Sequence, residues 1–154
     1  MPGPAAHPPI GLQLTATARE VSRAFDAALA AAGGSLPTWQ VVLALKTRQT
    51  ASQRELAAAV GIQGATLTHH LNGLESDGLL TRRRDPENRR VHLVELTERG
   101  HATFQRLRDV AVTHDRRLRA GFSDEEIHLL RGVLARMRDN VGETGTGPTA
   151  DPAP

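Results

Sequence analysis

Five arginines fall within a stretch of nine residues: Arg82, Arg83, Arg84, Arg89 and Arg90. Guanidinium groups stay charged at physiological pH and offer rigid forks of N–H donors, which is the chemistry of phosphate binding. The five bracket Asp85-Pro86-Glu87-Asn88, and strand-forming stretches lie on both sides, LLTRRR over 79–84 and RRVHLVELT over 89–97. Pro86 fits position i+1 of a type I turn because its ring already sets φ, and Asn88 tolerates a left-handed conformation. The pattern predicts a β-hairpin whose arginines project from its base and tip. A ribbon so cationic needs a polyanion to face it, and duplex DNA is the expected one.

A second polar set lies just upstream. Ser52-Gln53-Arg54-Glu55 is a capping-box pattern that opens the short helix SQRELAAAV. Gly61 ends that helix, Ile62-Gln63-Gly64 make a turn, and a second short helix follows. Leu67, Leu71 and Leu74 form its inner face, and Asp77-Gly78 stop it. Two short helices joined by a tight glycine-containing turn make a helix-turn-helix. Thr66, Thr68, His69, Asn72 and Gly73 lie off the leucine stripe and can face a DNA groove, while Ser52, Gln53 and Arg54 stand at the start of the first helix. Small hydroxyls reach phosphates, and asparagine can pair with adenine through two hydrogen bonds. His70 falls at the flank, either packed or turned toward phosphate.

Helices must hold these groups in place. Over residues 10–32, Ile10, Leu14, Ala18, Val21, Phe25 and Leu29 recur at helical spacing, up to Gly33-Gly34. Leu36-Pro37-Thr38 opens a second helix, with Thr38 as the expected cap for residues 39–48. Thr97 caps a helix to about Arg119, and Ser123-Asp124-Glu125-Glu126 opens a last one to about Val141. In that last helix Ile127, Leu130, Leu134, Met137 and Val141 repeat with the spacing of a packing seam. The expected fold is mainly α with a small β-wing, a winged helix-turn-helix over 38–97 within a single domain of 10–141. Residues 10–34 and 98–141 are the expected dimerisation helices, since a compact DNA-binding unit does not need both apolar stripes for its own core. Folding back onto the same chain is the alternative. Phe25 and Trp39 are candidates for lining an effector cleft, with core packing as the alternative for each. Residues 1–9 and 142–154 lack periodicity and are expected to be disordered.

Composition narrows the function classes. The chain has 154 residues, 39% of them hydrophobic, which suits one core. It has no cysteine, so disulfide and thiol redox chemistry are excluded. No apolar run approaches about 20 residues and the N-terminus lacks a signal-peptide pattern, so a soluble cytoplasmic protein without membrane contact is expected. Lys46 is the sole lysine against 18 arginines, a bias that fits a GC-rich bacterial genome. The net charge of +2 conceals segregation. Residues 1–80 are balanced, residues 81–119 hold eleven arginines against six acids, and residues 120–154 hold three against six. A localised basic element is the footprint of nucleic-acid binding. The sequence lacks a phosphate-binding glycine loop, a G-x-S-x-G elbow and an H-E-x-x-H pair, so no catalysis and no cofactor are expected. Seven histidines keep a metal-responsive regulator as one alternative, although His69 and His70 point in different helical directions and chelate poorly. A winged helix used only for protein contacts is the other.

The chain resembles the MarR family of bacterial regulators. The resemblance is carried by SQRELAAAVGIQGATLTHHLNGLESDGLL, by RRRDPENRRVHLVELTERG and by SDEEIHLLRGVLARMRDNV, and covers about residues 10–141. It implies a homodimer built from the first, fifth and sixth helices and a recognition helix over Gly64–Ser76. It also implies repression at a pseudo-palindromic operator, relieved by a small aromatic or anionic effector. Many relatives place a base-reading arginine where this chain has His69. Their wing motif reads Asp-x-Arg where this chain has Asn88-Arg89-Arg90, so Arg90 matches the arginine that enters the minor groove but lacks its usual carboxylate partner. Arg82, Arg83, Arg84 and Arg89 are expected on phosphates or in support of the ribbon.

Overall fold

Helix α1 (Ile10–Ala31) ends where Gly33 adopts φ +74° and the Gly34 amide donates back to the Leu29 carbonyl over 2.9 Å. The computed structural model describes residues 7–142, so residues 1–6 and 143–154 of the expected disordered ends lie outside it. Residues 7–9 form no element and Gly142 closes the last helix. Helix α2 (Leu36–Arg48) starts earlier than the sequence suggests: its cap is Ser35, not Thr38. Pro37 needs no N–H partner in the first turn, and Thr38 there donates its own amide to the Ser35 hydroxyl at 3.3 Å.

Gln49 turns the chain with φ +64° into β1 (Thr50–Ser52), a strand that the sequence reading lacks. Helix α3 (Gln53–Val60) follows directly, and its capping box is complete. Ser52 accepts from the Glu55 amide at 3.2 Å, and the Glu55 carboxylate accepts from the Ser52 amide at 2.7 Å. Removing the hydroxyl strands that helical amide, so Ser52→Ala should cost on the order of 1 kcal/mol of stability in chemical denaturation. Gly61, left-handed at φ +73°, ends α3, and α4 (Gly64–Ser76) has the predicted bounds.

Strands β2 (Leu80–Arg84) and β3 (His92–Leu96) form the wing, with Arg82 opposite Val94 and Arg84 opposite His92. β1 pairs with the other edge of β3, so the sheet order is β1-β3-β2. The return strand is shorter than the expected 89–97. Residues 85–91 are loop, closed by the Asp85 amide on the Val91 carbonyl at 2.9 Å. Its hydrogen-bonded turn is centred on Arg89-Arg90, where the Val91 amide meets the Asn88 carbonyl at 2.8 Å, and not on Pro86-Glu87. Asp85 instead makes a side-chain turn by accepting from the Glu87 amide.

One core joins these pieces. Val41 and Leu45 of α2, Ala51 of β1, Leu56 of α3, Leu67, Leu71 and Leu74 of α4, and Leu79, Leu80 and Val94 of the wing are buried together. Helix α5 (Glu98–Leu118) is capped by Thr97, whose hydroxyl accepts from the Gly100 amide and donates to the Gly78 carbonyl. Its Phe104 and Leu107 are buried. Two compact units are delimited, one ending at His114 and the other beginning at Asp115. The second contains α6 (Asp124–Gly142), whose Ser123–Glu126 capping bonds are both present. Among the described residues no single helix is long and apolar enough to cross a membrane.

Candidate nucleic-acid interface

Burial of Leu67, Leu71 and Leu74 decides which side of α4 stays outside: Thr66, His69, Asn72 and Gly73 are exposed. Thr68 is not free. Its hydroxyl donates to the Gly64 carbonyl and accepts from Gln53 Nε2, both at 2.9 Å, so it bonds the two helices of the motif together. His70 is half-buried, and its ring lies 6.0 Å from that of His69 at a 56° tilt. Both rings open onto a hollow of about 350 Å³ shared with Thr38, Asn72 and Asp77.

The wing arginines divide into two groups. Arg82 turns inward and pairs with Glu75 of α4 through Nε at 3.0 Å, while its Nη2 donates to Asn72 Oδ1 at 2.7 Å. Arg83 pairs with Glu95 across the ribbon at 2.6 Å, which raises the guanidinium pKa further. Arg84, Arg89 and Arg90 are exposed, with no ion-pair partner among the described residues. Asn88 Oδ1 accepts from the Arg90 amide at 3.2 Å, so the asparagine shapes the backbone beneath that side chain. Arg90 and His92 share an open hollow of about 580 Å³ with Ser52, Gln53 and Arg54. The sequence reading did not bring Arg54 and Arg90 together and overlooked His92. Only the ladder register, which pairs His92 with Arg84, could have exposed it.

The Arg82 hydrogen bonds hold the Glu75 carboxyl below its ordinary value. A depressed carboxylate stabilises the fold above its unfolded pKa and loses that contribution as pH falls through the folded one. The link between α4 and the wing should therefore persist at neutral pH and open only on acidification below the ordinary glutamate range. A carboxyl-carbon NMR titration should place the Glu75 midpoint below that range, and Arg82→Met should return it to the ordinary value.

Phe25 and Trp39 each meet α5. Phe25 stacks on His114 with centroids 4.9 Å apart, and Trp39 stacks on Phe104 at 5.9 Å. Among the described residues His114 Nε2 is buried without a hydrogen-bond partner. Among the described residues no cluster of three His, Asp or Glu could hold a metal ion.

Helix-turn-helix, β1 and arginine loop fall inside a known family pattern, since residues 35–92 match the model of the MarR family. That stretch of the chain is a MarR-family region. The chain is 41% identical over 90 residues to the uncharacterized HTH-type transcriptional regulator YdgJ of Bacillus subtilis. That match takes in 58% of this chain and 55% of YdgJ, about half the length of the relative. Among solved structures, the transcriptional repressor CouR bound to a 23-mer DNA duplex is 28% identical with a TM-score of 0.77, over 84% of this chain and 92% of that one. A mutant MarR from E. coli complexed with operator DNA also has a TM-score of 0.77, over 84% and 93% of the two chains. At 20% identity it is a likeness of fold. The architecture is thus a MarR winged helix-turn-helix, mainly helical with a small antiparallel sheet.

Proposed function

We propose that the chain is a transcriptional regulator that binds double-stranded DNA sequence-specifically, as a homodimer on a pseudo-palindromic operator in the bacterial cytoplasm, and represses. It performs no catalysis in this reading. One observation carries it: the exposed face of α4 is tied through Arg82 to a wing whose exposed Arg84, Arg89 and Arg90 have no ion-pair partner among the described residues. A helix and a ribbon fixed to one another can engage the major and minor grooves of one duplex. The DNA-bound forms of CouR and of E. coli MarR support the same reading.

Dimerisation is supported by apolar side chains that the single chain leaves outside. Ile10 and Leu12 of α1 are 62% and 64% exposed, and α6 buries no residue. A small-molecule effector belongs to the proposal as well, with the Phe25–His114 stack and the unpartnered His114 Nε2 as its contact in the cleft.

The deciding experiment selects duplexes from a random pool and titrates the best one against salt. Several phosphate contacts on each protomer imply a log–log slope of roughly −5 or steeper for the dimer. A slope near zero, or a pool without enrichment, would overturn the proposal. Light scattering at micromolar concentration should give about twice the chain mass of 16.6 kDa. A folded monomer there would remove the dimer from it.

A further inference from the structure

We propose that Arg82 is a positioning residue. It fixes the Asn72 side-chain amide so that Nδ2 faces the DNA, and Asn72 thereby selects guanine over adenine at one position of each half-site. The inference rests on the DNA-binding reading above and adds how one base is chosen.

The argument begins with donor chemistry. A guanidinium has five N–H donors and no acceptor, so the Asn72 atom it meets at 2.7 Å has to be the carbonyl oxygen. The amide orientation is therefore set by chemistry and not by convention. With Oδ1 turned to Arg82, the Nδ2 amino group points the other way, on a side chain that is exposed on the outer face of α4.

Arg82 cannot easily follow Asn72 if the amide turns. Its Nε and Nη2 are held by the Glu75 carboxylate, and its backbone amide donates to the same carboxylate at 3.2 Å. Glu75 lies one helical turn beyond Asn72 on α4, and Arg82 sits in the middle of β2, opposite Val94 of the central strand. The guanidinium is thus anchored at both ends before it touches Asn72, and the bond to Oδ1 is charge-assisted.

What this does to base reading follows from the groove edges. Adenine offers N7 as acceptor and N6–H as donor, so pairing with it through two bonds needs both Oδ1 and Nδ2 of an asparagine. Guanine offers N7 and O6, both acceptors, which suit the two hydrogens of one amino group. An asparagine whose carbonyl is turned away toward Arg82 presents its amino group and reads as a donor. The adenine pairing that the residue type alone suggests is thereby replaced by guanine.

The test uses the full chain and duplexes carrying every single-base substitution of its selected operator, followed by fluorescence anisotropy at fixed salt. The wild type should favour guanine over adenine on the order of tenfold at one symmetry-related position. Asn72→Ala should erase that preference there. Arg82→Met keeps the aliphatic stem and should bring guanine and adenine close to parity at that position only, with an unchanged salt slope. In the Asn72→Ala background Arg82→Met should change the profile no further. Should Arg82→Met fail to fold, Asn72→Asp supplies an independent arm. Its carboxylate still pairs with Arg82 but offers no donor, so guanine should become the disfavoured base.

Several results would overturn the proposal. One is an adenine preference at the Asn72-dependent position, and another is a guanine preference that survives Arg82→Met. A uniform loss at all positions with a salt slope shallower by about one per protomer would make Arg82 a phosphate contact instead. If the wild type enriches no sequence at all, the functional reading fails together with this inference. Specific binding with a flat response to both substitutions sinks this inference alone.

Discussion

Gly100→Ala is expected to be the most damaging single-methyl change in the compact unit that ends at His114. Gly100 is buried in the first turn of α5, and a Cβ built there would run into the Leu79 carbonyl oxygen and crowd Leu96 Cδ2 at 3.1 Å. That carbonyl is backbone, held by the Thr97 amide at 3.1 Å, and cannot swing aside as a side chain could. Either α5 lifts off the base of the wing or β2 shifts, and each disturbs Leu79, Leu80 and Val94 in the core. The cost should be about 3 kcal/mol or more, a large share of the stability of a small domain. Gly73→Ala is the matched control. It lies in α4 with open space around its Cα, and alanine there should stabilise by about 0.5–1 kcal/mol. Denaturant midpoints for the two variants should move in opposite directions. Equal midpoints would mean that α5 packs only loosely on the base of the wing.

Arg90→Ala should produce the largest loss of DNA affinity among single wing substitutions. The Arg90 side chain is exposed, while its amide is held by Asn88 Oδ1 and the turn is closed by the Asn88 carbonyl. The backbone is thus fixed and the guanidinium free to enter a narrow groove, where negative potential is concentrated. The loss should be on the order of 1–3 kcal/mol per protomer and should fall on many sequences alike. Arg83→Ala is the contrast: its charge is already answered by Glu95, so its effect should be much smaller. Competition binding of both variants at one salt concentration decides the matter. An unchanged affinity for Arg90→Ala would mean that the wing tip does not reach DNA.

Much of this arrangement was legible in the chain because its signals are local. A capping box spans four residues, and both Ser52–Glu55 and Ser123–Glu126 close as their spacing requires. Gly61 and Gly78 stop helices because each occupies a left-handed position that their neighbours avoid. Three features were not legible, and each depends on something remote or on competition between equals. Strand β1 is three residues without periodicity, and only Val94, far along the chain, makes Ala51 a strand residue. Ser35 and Thr38 are both good caps three residues apart, and the choice fell to the one that lets Pro37 occupy the first turn. In the wing, Asp85-Pro86 and Asn88 offered two turns within one loop, and the second took the hydrogen bond. For the site, residue types marked the arginines as a group. Their division into the inward Arg82 and the outward Arg84, Arg89 and Arg90 depends on Glu75 one element away.

The pairing of β1 with β3 has a consequence for biosynthesis. Thr50 lies opposite Glu95, and every residue of both helix-turn-helix helices falls between them. While the ribosome is adding α4, the strand that flanks α3 has no partner and the core still lacks Val94. Closure of a loop this long is entropically costly and is recovered only when the last strand arrives. A nascent chain therefore presents no finished reading head midway through its synthesis. Helix α4, the wing and the first turn of α5 are completed nearly together, once Gly100 settles on Leu79, so a truncated product ending before α5 would lack a settled wing along with α5 and α6.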